Sequence, residues 1–303
     1  MAAARGKLRV AYNALVNHPL HEQNRKSWNH ATVAHNSHKG DQAAFLRGGG
    51  STLFPEELVL LGDIAGQRLL HLQCNSGQDT LSLVARGAIA TGVDISDEAI
   101  AFAQRLSADS SLPAKFERAD VYDWLEAAPR GAYDRVFSSY GVLGWLSDLP
   151  TWARGIAQVL APGGRFVLLE FHPELFRFAE TDGRLGIAAG PTTGRIDCPE
   201  GLGDYVAESG AGLLHGATYQ EGIVGFQNPE SSHEFGHTLG SVVDAIARAG
   251  LVIEQLSEYP YSNGCRFFTA MIDLGQRRWA LPPGTPSVPI MFGLCACRPE
   301  APL

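Results

Sequence analysis

Between Glu56 and Pro173, apolar runs short enough for strands alternate with longer amphipathic stretches, the pattern of a parallel sheet covered by helices. The runs Arg68 to Cys74, Ala88 to Ile95, Ala114 to Ala119, Asp134 to Ser138 and Phe166 to Phe171 are the predicted strands. Helices are predicted at Asp79 to Arg86, Asp97 to Ser107, near Trp124, and at Leu149 to Leu160. Ser96 is a ready N-cap for the second, and Pro162-Gly163-Gly164 stops the last. Such alternation favours a doubly wound α/β fold.

The texture changes on either side of this block. From Glu174 to Ser232, Gly-rich segments surround short alternating runs such as Tyr205 to Ala207 and Tyr219 to Phe226, which predict a small antiparallel insertion. A helix is expected at Glu234 to Ala249, then strands at Leu251 to Ser257 and Ile290 to Cys297 that complete a seven-stranded Rossmann-like sheet. The stretch before Pro55 is polar and His-rich. Its run Ser27 to Gln42 is too polar for a core and too poor in aromatics for an interface, so it is read as a lid, with a solvated amphipathic helix as the alternative. The expected organisation is a lid at 1–55, a Rossmann-like domain at 56–173 and 234–303, and an insertion at 174–233 walling a second pocket.

Composition narrows the class. With 303 residues, 45% of them hydrophobic, the chain can bury one large core. The net charge of -8 and the absence of any Lys/Arg run argue against a nucleic-acid partner. Arg5, Lys7 and Arg9 are followed by no apolar stretch, so neither a signal peptide nor a membrane span is expected, and the chain is read as cytoplasmic, a monomer or homodimer. Five scattered cysteines predict reduced thiols. Cys295 and Cys297 share one strand face and read as buried packing rather than metal ligands.

Ligands of doubly wound sheets bind beyond the carboxyl ends of the strands, which singles out four loops. Gln73-Cys74-Asn75-Ser76-Gly77-Gln78-Asp79-Thr80 turns tightly into a helix, with Gly77 permitting close approach of backbone to a ligand; alone this is weak. About twenty residues on, Gly92-Val93-Asp94-Ile95-Ser96 presents a carboxylate able to accept both hydroxyls of a ribose, and the competing reading of Asp94 as a helix cap is weakened because Ser96 fills that role. Ala119-Asp120-Val121-Tyr122 pairs a carboxylate with an apolar side chain, suited to an adenine amine and ring face. Ser138-Ser139-Tyr140-Gly141 supplies hydroxyls and an aromatic wall.

His71 to Asp79, Gly92 to Ser96, Arg118 to Val121 and Leu160 to Gly164 resemble the ordered motifs of class I S-adenosylmethionine-dependent methyltransferases. His71-Leu72-Gln73-Cys74, Gly77-Gln78-Asp79-Thr80, Glu170-Phe171-His172-Pro173 and Glu258 to Gly264 resemble a bacterial subgroup within that class, mostly of unassigned substrate. The resemblance implies S-adenosylmethionine as cofactor, with Gln73, Cys74, Gly77, Asp79 and Thr80 around the methionine part. It further implies Asp94 and Ile95 at the ribose, Asp120 and Val121 at the adenine, Ser138 nearby, and Trp28 with the lid histidines beside cofactor and acceptor. The family has an acidic residue where His71 stands and glycines where Gln73 and Asn75 stand, which leaves the holder of the amino group open; a Gln73 amide oxygen can substitute. His71 itself reads equally as a satisfied core histidine.

The expected activity is methyl transfer to an O or N nucleophile of a small molecule in bacterial specialised metabolism, a reaction that mainly requires alignment and exclusion of water. A general base near neutrality would assist: His172 is the first candidate, against plain packing before Pro173, with His35, Tyr140 and Tyr261 as further candidates. Three alternatives stand beside this one: intramolecular attack by the cofactor's own amino group to give azetidine-2-carboxylate and methylthioadenosine, cofactor sensing without catalysis, and a zinc metalloprotease. The last rests on His233-Glu234-Phe235-Gly236-His237, whose two histidines would face one side of a helix; Val243 stands where a third histidine would extend the motif. No metal is assigned, His35 and His38 being the weaker possibility.

Overall fold

A computed structural model describes residues 16–188, 192–210 and 218–300. The charged start of the chain and parts of the predicted insertion thus lie outside the described residues. Seven strands form one sheet: β1 (Arg68–Leu72), β2 (Ile89–Asp94), β3 (Lys115–Arg118), β4 (Tyr133–Ser139), β5 (Leu160–Phe171), β10 (Val252–Tyr259) and β14 (Met291–Cys297). Their order is β10-β14-β5-β4-β1-β2-β3. All pairings are parallel except those of β14, which runs antiparallel to both neighbours. The order reverses between β1 and β4, so the crevice at their carboxyl ends is the place for a ligand.

Alternation along the strands sorts two apolar layers. Leu70, Leu72, Val136, Phe166, Leu168, Phe292 and Leu294 face helices α6 (Val121–Ala127), α7 (Leu149–Val159) and α9 (Leu239–Arg248) through Leu125, Trp152, Ile156, Val242 and Ile246. The neighbouring positions Leu69, Phe137, Val167, Leu169 and Cys295 face the other way, onto Leu60 and Leu61 of α3 (Pro55–Leu61) and Leu83 of α4 (Gln78–Ala85). Helix α5 (Asp97–Ser110) adds Ile100, Ala103 and Leu106 around Phe116, together with Leu46 of α2 (Gln42–Arg47). As expected, Ser96 caps α5, its hydroxyl accepting from the Ala99 amide at 3.1 Å.

Helix α1 (His18–Ser37) lies across the ligand end of this sheet. Its Asn36 amide donates to Ser76 Oγ at 2.9 Å beyond β1, Asn29 Oδ1 accepts from Ser96 Oγ at 2.8 Å beyond β2, and His21 Nδ1 meets Asp120 Oδ2 at 2.8 Å beyond β3. One polar helix therefore bridges three successive loops, which accounts for its lack of a broad apolar face.

Several local expectations change. The Pro162-Gly163-Gly164 stop lies inside the long β5, where Gly163 N–H donates to Arg298 O at 2.8 Å. Tyr205 opens the short helix α8 (Tyr205–Ser209) rather than a strand, because the Asp204 carboxylate accepts from the Ala207 amide at 3.0 Å and caps it. The hairpin β6 (Phe178–Thr181) and β7 (Arg184–Ile187) is antiparallel, as is the pair β8 (Gly194–Cys198) and β9 (Ser232–Gly236). Residues 232–236 are thus strand, and α9 begins only at Leu239 after a Thr238 cap. A further sheet, β11 (Tyr261–Asn263), β13 (Arg278–Ala280) and β12 (Ile272–Gly275), was not expected.

Candidate functional site

A cavity of about 600 Å³ opens at the carboxyl ends of β1 to β5 under α1. Its floor is the turn after β1, where Gln73 (φ 54°), Asn75 (φ 48°) and Gly77 (φ 80°) take left-handed backbone in alternation. A Cβ on Gly77 would stand 2.7 Å from Ala103 Cβ and 2.8 Å from the Phe116 ring, so the turn can lie flat on α5 and β3 only with glycine there. The turn's own amides are bonded within the protein, Cys74 N–H to Val93 O at 3.0 Å and Gly77 N–H to Cys74 O at 3.1 Å. Asp94 Oδ2 accepts from the Asn75 amide at 2.8 Å and Oδ1 from the Ser96 amide at 2.9 Å, tying the β1 and β2 loops together. Burial pushes the Asp94 carboxyl up, and these amides pull it back. Asp94 lines the chamber.

The end of the cavity beyond the β1 turn carries buried polar atoms without protein partners. Gln73 Nε2 donates to Val142 O at 2.9 Å, which fixes the amide and leaves Gln73 Oε1 an orphaned acceptor. Gln42 Nε2 and Gln78 Nε2 are orphaned donors. Beside them stand the Asp79 carboxylate, held by Thr52 Oγ1 at 2.5 Å, and the Lys39 ammonium, whose pKa desolvation pushes down to about 8 against the pull of Asp79 and Asp204. Orphaned buried groups are costly, and these fall into one acceptor set and one donor set. Together they fit the ammonium and carboxylate of an α-amino acid. His71, where the family has an acid, is pushed down to about 4 by burial and is neutral; its Nδ1 meets Thr80 Oγ1 at 2.8 Å.

The opposite half is walled by aromatic and aliphatic side chains, including Trp145, Phe171, Phe176, Ile196, Phe235 and Phe267. The loop after β4 is held open by Glu170, whose carboxylate accepts from the amides of Gly141 (2.5 Å), Val142 (2.7 Å), Leu143 (3.0 Å) and Phe171 (2.6 Å). Trp28 from α1 meets Trp145 edge-on at 5.3 Å. Tyr140 (φ 48°) lines the wall, its hydroxyl accepting from Asn263 Nδ2 at 3.0 Å.

Gln73, Cys74, Asp79, Asp94, Ile95, Asp120, Val121, Tyr140 and Trp28 all line this cavity. Gly77 lies beneath the turn, and Thr80 is buried behind it against His71. Ser138 turns inward, its hydroxyl 3.3 Å from Leu72 O, and Ser139 takes its place on the wall. Three expected catalytic side chains point elsewhere. His172 caps the turn at Glu174 through Nδ1 (3.1 Å) and meets Glu258 Oε1 through Nε2 (2.9 Å), because the chain bends at Pro173 and drives the ring against Phe292. His35 donates to Gly203 O at 3.0 Å and packs on Tyr205, where burial pushes it down to about 4. The Tyr261 hydroxyl donates to Glu56 Oε1 at 2.8 Å.

The HEFGH segment forms no zinc site of the helical kind. His233 on β9 is drawn to Asp197 Oδ1 (2.7 Å), whereas His237, just past the strand, turns its Nε2 to Leu146 O (2.8 Å). Glu234 and His237 both line the cavity. Burial pushes the Glu234 carboxyl up and the His237 imidazole down. Among the described residues, one cluster has metal-ligand geometry, His18, His21 and Asp120, with donor atoms within 4.8 Å of one another. No helix among the described residues is long and apolar enough to cross a membrane.

Residues 69–164 match the methyltransferase-domain family. A crystal structure of an S-adenosylmethionine-dependent methyltransferase from Mesorhizobium loti superposes with a TM-score of 0.53 at 21% identity, covering 82% of this chain and 99% of the other. The fold is therefore that of the class I methyltransferases. Among curated proteins, the chain is similar to the S-adenosyl-L-methionine-dependent Diels-Alderase iccD of Talaromyces variabilis, 36% identical over 109 residues, or 35% of this chain and 37% of that protein. It is also similar to the demethylmenaquinone methyltransferase of Thermus thermophilus, 34% identical over 111 residues, or 36% of this chain and 49% of that protein. The chain spans less than half the length of either relative.

Proposed function

We propose that the chain is an S-adenosylmethionine-dependent methyltransferase that moves the sulfonium methyl group to an O or N nucleophile of a small, mainly apolar molecule. The observation that carries this is the set of orphaned groups beyond β1, complementary to an amino-acid zwitterion, next to an Asp94 carboxylate open to a ribose. Gln73 Oε1 and Asp79 would hold the ammonium. Lys39, Gln42 and Gln78 would hold the carboxylate, and Asp94 the ribose hydroxyls. The cofactor supplies an activated methyl carbon; the protein's task is to align the acceptor behind it and keep water out.

The aromatic half supplies that alignment and also a base. His237 Nε2 carries a hydrogen, since the Leu146 carbonyl can only accept, and its Nδ1 therefore keeps a lone pair. A buried, neutral imidazole oriented in this way can take the proton released as the acceptor attacks carbon and the methyl–sulfur bond breaks. We assign the base role to His237 ahead of His172.

The test is incubation of the chain with methyl-labelled S-adenosylmethionine and fractionated small-molecule extracts, followed by mass spectrometry. Release of S-adenosylhomocysteine with label in an acceptor is expected, and His237→Gln should lower that rate about a hundredfold. Methylthioadenosine instead would indicate the cyclisation. An intact cofactor beside a rearranged acceptor would indicate the kind of chemistry that the name of the Talaromyces relative describes.

A further inference from the structure

The reading of Asp120 as the residue that binds the adenine amine meets a difficulty in the geometry. Its Oδ1 accepts from the Tyr122 amide at 2.9 Å, and its Oδ2 lies 2.8 Å from His21 Nδ1 with His18 Nδ1 at 3.5 Å. The carboxylate is thus engaged by its own helix and by the lid. His21 in turn is 4% exposed, and its second nitrogen, Nε2, is buried with no partner. The ring lies flat on Tyr122 (5.3 Å between centroids, 9° between planes) and edge-on to Phe235 (6.1 Å), so it cannot swing to find one. It lines the cavity together with Asp120 and Val121.

We infer that His21, on the lid helix, reads the exocyclic amine of the cofactor's adenine, and that Asp120 is the positioning residue that orients it. The inference rests on the cofactor reading above. A carboxylate only accepts, so the bond to Asp120 places the imidazole hydrogen on Nδ1 and leaves Nε2 of the neutral ring as an acceptor. On an adenine edge the exocyclic amine is the donor; ring nitrogens only accept. A buried acceptor on a ring held flat by Tyr122 and edge-on by Phe235 discriminates against a base lacking that amine, because the acceptor is then left unpaired. The arrangement also makes base recognition depend on a closed lid, since the reading residue comes from α1.

Calorimetry of the full chain with S-adenosylhomocysteine and with S-inosylhomocysteine, in which a keto oxygen replaces the amine, tests this. The unaltered chain should prefer the adenosyl ligand by about tenfold or more. His21→Leu should weaken adenosyl binding about tenfold and bring the two ligands within about twofold of each other. His21→Gln, whose amide oxygen can accept, should restore part of the preference and guards against a folding defect in the first variant. Preference kept in His21→Leu, or tighter binding of the inosyl ligand to the unaltered chain, overturns the inference and leaves the cofactor reading standing. No uptake of either ligand by the unaltered chain brings down both. The isotherms should not change with a chelator; dependence on a divalent cation would mean that the His18, His21 and Asp120 cluster holds metal instead.

Discussion

The two halves of the cavity are built differently. The cofactor half is made of tight turns that leave parallel strands of a single sheet, each turn anchored to the next by a buried carboxylate: Asp94 joins the β1 and β2 loops, and Glu170 holds the loop after β4. The half proposed for the acceptor is assembled from α1, β8, β9 and the segment around Phe267, elements far apart in sequence that meet through long-range bonds, such as Asn24 with the His233 backbone (2.8 and 2.7 Å). A frame of local turns is set by short sequence, whereas an assembled wall can vary without disturbing the frame. The family model matches residues 69–164, the stretch that carries these turns.

Glu170→Ala should have the largest effect on this contrast. Four amides lose their acceptor at once, so a loss of about 3 to 5 kcal/mol in denaturant unfolding is expected, with collapse of the wall the two halves share. Next is pH. His35 and His71 are pushed down to about 4 by burial from an ordinary value near 6.5, so the unfolded chain binds their protons first as pH falls. The stability that comes from keeping them neutral is complete above about 6.5 and is lost toward about 4, on the order of 3 kcal/mol for each. Unfolding midpoints measured from pH 7.5 to 4.5 should fall steeply, and less so in His35→Gln, which sits in the lid rather than the frame.

Smaller effects separate the halves directly. Lys39→Met should weaken S-adenosylhomocysteine binding by about ten- to a hundredfold in calorimetry, the range of a charge-assisted bond, with the fold unchanged. Phe176→Ala, in the aromatic wall, should leave that affinity within about twofold and raise the acceptor KM by about tenfold once an acceptor is known. Equal losses of cofactor binding in both variants would erase the distinction between halves.

The same contrast explains what was legible in the sequence. Strand periods, Gly77, Asp94, Asp120 and the Ser96 cap are local signals, and the sheet follows from them. The segment at 233–237 misled because two histidines four residues apart suit a helix face, while pairing of 232–236 with β8, nearly forty residues earlier, makes all but its last residue strand. His172 misled because strand-exit position does not determine which way a ring turns at a proline. Glu234 and His237 stood in a motif that pointed to zinc, and Lys39 and His21 carried no motif at all. A polar, His-rich segment ahead of a cofactor motif was the available signal for the last, and it pointed to a lid without saying which histidine faces inward.

The central claim is that the crevice beyond β1, β2 and β3 holds an adenosyl amino acid. Titration of the full chain with S-adenosylhomocysteine tests it most directly: saturable one-to-one uptake is expected, weakened at least about thirtyfold in Asp94→Ala as two ribose hydroxyls lose a charged acceptor. No uptake, or uptake unaffected by the Asp94 substitution, would contradict the account.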